Sequence, residues 1–126
     1  MTLSAGLLNI ANAGALGTGL LTLAGGTINN TFGAPLPLST ANPQTWSGSF
    51  GFTGTNSLDL GAGAVALTTT PTVTVTANTL TVPGNISGVT FGITKAGAGT
   101  LSLSGTNTYT GLTTNNAGHL EHVRHV

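Results

Sequence analysis

Charged residues are nearly absent from this sequence of 126 residues. They make up 3% of the chain, whereas a typical soluble domain carries roughly 25%. Asp59 and Lys95 are the only charges before Glu121 and Arg124 near the C-terminus, and the formal net charge is zero. A surface without a basic patch lacks the electrostatic attraction that nucleic acids and anionic lipids exploit. We therefore expect neither nucleic acid nor a membrane among the partners.

Cysteine and long apolar runs are missing as well. Without cysteine the chain has no disulfide framework and no thiolate metal site. Thr, Ser, Asn or Gly interrupt its short apolar stretches, which fall far below the ~18 residues of a membrane-spanning helix. Met1–Gly6 lacks the basic start and apolar core of a signal peptide, so a secreted protein would be represented here by a mature or internal segment. Positive mean hydropathy with zero net charge argues against disorder.

The residues that catalysis needs are equally scarce. Glycosidase chemistry uses two carboxylates, and the body of the chain offers only Asp59. Serine and threonine nucleophiles need a base, yet every histidine lies in the last eight positions. Lys95 is expected to be solvated at a turn rather than to perform chemistry. We predict that the protein is not an enzyme and has no catalytic residue, no resident metal and no cofactor.

Alternation of apolar and hydroxyl residues is the dominant pattern that is present. Such alternation places apolar side chains on one face of a strand and hydroxyls on the other. Glycines recur between these segments, and glycine is favoured where the backbone turns through a positive φ. The pattern predicts strands at Leu7–Ile10, Leu20–Leu23, Thr27–Thr31, Trp46–Phe52, Ser57–Leu60, Ala64–Thr68, Thr72–Thr76, Thr79–Val82, Phe91–Thr94 and Leu101–Ser104.

Short strands between glycine turns favour a solenoid over a sandwich of hairpins, whose strands are longer. Stacked coils satisfy their backbone hydrogen bonds along the solenoid axis, at a spacing of ~4.8 Å. Ladders of Thr, Ser and Asn tolerate being stacked on themselves, whereas ladders of charge repel. We predict an all-β fold, a parallel β-helix (β-solenoid), with about four to five coils of roughly three strands each.

The segment Ile93–Gly111, followed by Asn116-Ala117-Gly118-x-Leu120, closely resembles the autotransporter-associated β-strand repeat of bacterial type V secreted passengers. The resemblance implies a right-handed parallel β-helix located outside the cell or on the bacterial surface. It also implies a role in folding or secretion of the helix rather than catalysis. Leu112 and Asn115 depart from the family pattern, and we expect a less tight turn and a looser inner ladder there. The resemblance rests on Lys95, Gly97, Gly99, Leu101, Leu103, Gly105, Asn107, Tyr109 and Gly111.

The end of the chain resembles its beginning. Ser4–Leu8 and Asn116–Leu120 share the pattern [Ser/Asn]-Ala-Gly-x-Leu, with Gly6 and Gly118 lying 112 residues apart. We predict one solenoid segment over residues 1–118, about one unit of a tandem array, followed by a tail over residues 119–126. A unit whose ends match can stack head to tail on another copy. The leading hypothesis is therefore a structural segment whose partner is itself, assembling into filaments.

A binding module is the alternative function. A flat hydroxyl face for a polysaccharide or for ice would comprise Thr68, Thr70, Thr72, Thr74 and Thr76. Ice-binding solenoids repeat Thr-x-Thr once per coil, and the sequence lacks that strict spacing. Trp46, Phe50 and Phe52 have the spacing to share one face of an extended strand. They form either buried core, which we favour, or an exposed platform for sugar stacking.

Three histidines, His119, His122 and His125, accompany Glu121 at the C-terminus. On one face of a helix they would suit a divalent metal. The sequence Leu-Glu-His with further histidines also resembles an appended purification tail, which carries no native function. We favour the second interpretation.

Overall fold

The structure is a computed structural model that describes residues 1–121, and within that range it contains strands, turns and no helix. No described helix is therefore long and apolar enough to cross a membrane. The strands are two to four residues long: β1 Thr2–Leu3, β2 Leu7–Ile10, β3 Leu21–Leu23, β4 Thr27–Asn30, β5 Leu36–Pro37, β6 Gln44–Trp46, β7 Phe50–Phe52, β8 Leu58–Asp59, β9 Val65–Leu67, β10 Thr72–Val75, β11 Thr79–Thr81, β12 Ile86–Ser87, β13 Ile93–Ala96, β14 Thr100–Ser102, β15 Thr113–Asn115 and β16 His119–Glu121.

The strands form three parallel sheets that wind together into a β-solenoid. Sheet A has the order β1-β3-β6-β9-β12, sheet B the order β2-β4-β7-β10-β13-β15, and sheet C the order β5-β8-β11-β14-β16. The chain visits A, B and C in turn and then begins the next coil on top of the last. Each coil advances the sequence by between 19 residues (Thr100 to His119) and 24 residues (Thr27 to Gly51).

The predicted all-β parallel solenoid is confirmed, but the predicted four to five coils are wrong, since sheet B alone has six strands among the described residues. The count is low because β1, β5 and β12 have only two residues, and β15 and β16 show no alternation of apolar and hydroxyl residues. The predicted strand Trp46–Phe52 is in fact two strands, β6 and β7, separated by a corner. At that corner Gly48 packs on the coil below, where a Cβ would lie 2.2 Å from the carbonyl oxygen of Ala24.

Inward side chains stack in columns to form one continuous core. Sheet C places leucine at the same inward position of each of its five strands. Trp46 and Phe50 pack edge to face, with ring centroids 5.0 Å apart and planes at 72°. Both rings are buried, as is Phe52, so the interpretation of these aromatics as core is confirmed, although Trp46 and Phe50 belong to different sheets. The leucine column is Leu36, Leu58, Leu80, Leu101 and Leu120.

Asparagine side chains tie the corners of neighbouring coils together. The Asn30 amide nitrogen donates to the carbonyl oxygens of Ala34 at 2.9 Å and Ser57 at 2.7 Å. The Asn42 amide nitrogen donates to those of Gly17 at 2.9 Å and Gly19 at 2.8 Å. Both asparagines are buried. They replace hydrogen bonds that the backbone loses where the chain leaves a sheet.

Replacing Trp46 with alanine tests this core. Trp46→Ala removes the largest fully buried side chain and should lower the free energy of unfolding by about 3–5 kcal/mol. The matched control, Leu112→Ala, truncates a side chain that is 84% exposed and should change it by no more than about 0.5 kcal/mol. Urea denaturation followed by circular dichroism measures both. Equal losses in the two variants would contradict the assigned core.

Candidate functional site

The resemblance segment forms the fifth and sixth coils, where β13 pairs with β15 and β14 with β16. Its motif residues other than glycine point into the solenoid and are buried. Its glycines lie at or beside the corners. Each corner packs on the backbone of the preceding coil, so a Cβ at Gly105 would lie 2.4 Å from the Gly84 carbonyl oxygen. The buried motif residues are Lys95, Leu101, Leu103, Asn107 and Tyr109, and the glycines are Gly97, Gly99, Gly105 and Gly111.

Lys95 lies inside the solenoid. It occupies an inward position of β13, beyond Val73 of β10 in the same column, and its exposed fraction is 0%. The expectation that Lys95 is solvated at a turn is therefore wrong. It fails because alternation along β13 directs the side chain inward, and the corner beside it offers carbonyl oxygens instead of water.

The Lys95 ammonium donates to three backbone carbonyl oxygens. The distances from Nζ are 2.7 Å to Gly97, 2.8 Å to Ala117 and 3.2 Å to Ala96. Three donors are the full complement of a protonated lysine, so each one is satisfied without a carboxylate. Burial lowers the pKa of Lys95 from its ordinary value of 10.5. The three carbonyl contacts oppose this shift because they stabilise the charged form.

This arrangement, which we call the Lys95 cage, joins two parts of the motif that are far apart in sequence. Ala96 and Gly97 belong to the fifth coil, whereas Ala117 belongs to the sixth. Gly118 completes the cage, because a Cβ there would lie 2.3 Å from the Gly99 carbonyl oxygen and 2.7 Å from Lys95 Nζ. Lys95-Ala96-Gly97 and Asn116-Ala117-Gly118 thus form the two sides of one contact between the fifth and sixth coils.

Asn107 and Tyr109 take the place of a sheet A strand in the sixth coil. Asn107 Oδ1 accepts a hydrogen bond from the Ile86 amide at 3.0 Å, which continues sheet A through a side chain. Tyr109 is buried, and its hydroxyl hydrogen-bonds that of Thr113 at the start of β15. Burial raises the pKa of Tyr109 above 10.0, and the Thr113 contact partly offsets the rise. The two residues complete the sixth coil on the side of sheet A, which has no strand beyond β12 among the described residues.

Only part of the predicted threonine face lies on one sheet. Thr72 and Thr74 belong to β10 and Thr76 directly follows it, on the outer face of sheet B. Thr68 and Thr70 lie between β9 and β10, away from that face, and the Thr70 hydroxyl accepts from the Gly92 amide at 3.1 Å. Thr72 stacks with Thr94 and Thr114 of the next two coils. A ligand for this face stays a prediction.

The remaining titratable candidates among the described residues do not converge on one site. Asp59 Oδ1 accepts a hydrogen bond from the Gly61 amide at 2.8 Å. His119 Nε2 lies 3.3 Å from Glu121 Oε2 on β16, which is a strand and not a helix. Residues 1–121 contain no group of three or more His, Cys, Asp or Glu side chains placed to hold a metal. His122 and His125 lie outside the described residues, so the predicted tail stays a prediction.

Residues 93–121 match the family model described as a passenger-associated-transport-repeat. This segment is similar to that repeat. The resemblance to the autotransporter-associated repeat is confirmed, and the family implies a secreted or surface location. No curated protein and no solved structure matches the chain. The match extends to Glu121, through the strand β16 that pairs with β14.

Removing the Lys95 ammonium should loosen the sixth coil of the repeat. Lys95→Met keeps the aliphatic stem but leaves three carbonyl oxygens without their donor, which should cost about 1–3 kcal/mol. Amide hydrogen exchange should accelerate in β15 and β16 and stay unchanged in β6 and β9. Thr94→Met, one residue away on the outer face, is the matched control and should preserve protection. Unaltered exchange in β15 and β16 of Lys95→Met would contradict the cage.

The single tyrosine provides a pH test of the same coil. Because the folded-state pKa of Tyr109 is raised above 10.0, its contribution to stability is complete below pH 10 and is lost as the pH rises beyond that value. Phenolate absorbance should therefore appear at higher pH in the folded protein than in urea. Tyr109→Phe supplies the blank, because the chain has one tyrosine. Coincident folded and unfolded titrations would show that Tyr109 is not buried.

Proposed function

We propose that this chain is a non-catalytic structural segment of a secreted or surface-exposed bacterial β-solenoid, which stacks head to tail into fibres. The observation that carries the proposal is a passenger-associated-transport-repeat built into the last two coils of a regular solenoid. In such an array each coil contacts only its neighbours, so the ends of a segment are natural docking surfaces.

A structural role is supported by how the titratable side chains are used. All three Lys95 donors bond to carbonyl oxygens, so the amine has no capacity left for substrate. Asp59 is bonded to the backbone of its own turn. Within residues 1–121, neither residue lies beside a second acid or base that would complete a catalytic pair.

The edge strands at the two ends of the described residues 1–121 would face a docking copy. At the C-terminal end β15 and β16 are the terminal strands of sheets B and C. The Leu112 carbonyl oxygen and the Asn116 amide bond back to β13. Because backbone groups alternate along a strand, the amides and carbonyls of Thr113 and Asn115 face the open edge. At the other end β1 and β2 are the terminal strands of sheets A and B. Unpaired edges of this kind readily accept another parallel strand.

The two ends differ, which favours a polar head-to-tail contact. The edge of sheet C at the N-terminal end is β5, flanked by Pro35 and containing Pro37. Proline donates no hydrogen bond and blunts an edge. The C-terminal edges in β15 and β16 contain no proline. Surfaces that differ in this way suit heterologous contacts, which generate open filaments.

The matching end motifs do not set the register of stacking. Gly6 precedes β2 in sheet B, whereas Gly118 precedes β16 in sheet C. The two matching motifs therefore lie at different corners of the coil, and a second copy could not align one on the other sheet by sheet. We propose instead that docking coils align sheet on sheet, with β2 of one copy above β15 of the next.

Electron microscopy of the purified chain across a concentration series tests the assembly, with two near-isosteric variants. Wild type should form uniform filaments. Asn115 is exposed at the end of the inward column of Phe50, Val73 and Lys95, so a further coil would bury it. Asn115→Asp should raise the assembly concentration more than tenfold, because burying a carboxylate costs several kcal/mol.

Asn116→Asp is the matched control, because Asn116 is exposed and follows inward-facing Asn115, so alternation directs it outward and it stays in solvent when coils stack. It should form filaments like wild type. Compact monomers of wild type at every concentration would refute assembly. Equal effects of the two variants would refute docking through the inward column at β15.

A further inference from the structure

A shallow depression interrupts the hydroxyl surface on the outer face of sheet B. Its volume is about 360 Å³, at the lower end of the range for small-molecule sites. The floor is the backbone of β7, and the rim carries five hydroxyl groups. The rim residues are Thr27, Ser49, Thr72, Thr74 and Thr76.

Gly51 creates the depression by leaving a gap in an outward column. Thr27 stands below it and Thr74 above it in neighbouring strands. The side chains of Phe50 and Phe52 on either side are buried. The centre of the depression is therefore a bare stretch of strand backbone between hydroxyl-bearing side chains.

The fold does not require glycine at position 51. Its φ is not positive, in contrast to Gly54 at the following corner. A Cβ at Gly51 would meet the Thr27 hydroxyl at 3.4 Å and the Thr74 carbonyl oxygen at 3.7 Å, which are ordinary contacts. Glycine inside a central strand weakens a sheet and often marks a place where a ligand approaches the backbone.

The rim offers neutral donors and acceptors. The hydroxyls of Thr27, Thr72, Thr74 and Thr76 make no side-chain hydrogen bond to another residue within residues 1–121, whereas Ser49 Oγ accepts from the Thr72 amide at 2.9 Å. Among the described residues, no charged side chain lines the depression. Hydroxyls that both donate and accept match the hydroxyls of a sugar, and the absence of charge on the lining favours an uncharged one.

We propose that the Gly51 depression binds one sugar ring of a neutral polysaccharide. The ring lies on the β7 backbone, and its hydroxyls exchange hydrogen bonds with Thr27, Thr72 and Thr74. This role goes beyond the structural function, because it uses the side of the solenoid and not its ends. It assigns a specific subsite to the predicted threonine face.

Saturation-transfer difference NMR tests the site with four probes: maltotriose, cellotriose, mannotriose and triacetylchitotriose. The signal is read on the sugar, so it reports binding whether or not the protein has assembled. At least one probe should receive saturation from wild type, with weak affinity in the millimolar range, about the strength of a few exposed hydrogen bonds. Gly51→Thr fills the gap in the column and should reduce the affinity at least tenfold.

Ala66→Thr is the matched control, because it also adds a threonine to an outward column, between Thr45 and Ser87 on sheet A. It should leave binding unchanged. Thr74→Ala removes one rim hydroxyl without filling the gap and should weaken binding about 2- to 10-fold, which is the range for one hydrogen bond. It also keeps the test valid if Gly51→Thr folds poorly.

Two results would overturn the proposal. One is the absence of saturation transfer to all four trisaccharides. The other is transfer that survives both Gly51→Thr and Thr74→Ala, which would place the sugar elsewhere on the solenoid. Neither result depends on whether filaments form, so the failure of this site and the failure of head-to-tail stacking are separately visible.

Discussion

Parallel stacking of each coil on the one before it is the constraint on which the rest of this structure depends. Every strand bonds to its counterparts in the neighbouring coils, so each side chain lies about 4.8 Å from the residue one coil away. Stacked charges repel at that distance, whereas stacked hydroxyls and alkyl groups do not. The scarcity of charge in the sequence follows directly. So does the leucine column of sheet C, since one inward position recurs in each of its five strands.

Lys95 is compatible with this constraint because its charge has no charged neighbour in its column. Val73 lies on one side of it and Asn115 on the other. Its ammonium instead reaches the corner, where backbone carbonyl oxygens that have left the ladder need donors. One cation thereby satisfies three acceptors from two coils. The matched segment is consequently a local way of holding the sixth coil, in which Asn107 and Tyr109 stand in place of a sheet A strand.

The sequence predicted the fold class and the longer strands because alternation needs about four residues to be visible. Leu7–Ile10 agrees with the structure at both ends. Two-residue strands such as Leu36–Pro37 were invisible for the same reason. Alternation also continued through the corner after Trp46 and concealed it. The cage was missed because its contact between coils, from Lys95 to Ala117, joins residues 22 apart, which no local pattern reports. The position of Lys95 two residues after inward-facing Ile93 was a usable signal.

Glycine illustrates why the ligand site could not be predicted from sequence. Gly48, Gly54 and Gly105 are explained by a neighbouring coil, because a Cβ would collide with its carbonyl oxygens. Gly51 is also a glycine, but a Cβ there would meet no atom closer than 3.4 Å. Only the three-dimensional structure distinguishes it from the corner glycines. Its depression opens sideways from sheet B, whereas stacking engages the strand edges at the two ends of the axis. A fibre of such segments would therefore present the Gly51 depression at regular intervals, and each added copy would raise the avidity for a long polysaccharide without any new contact.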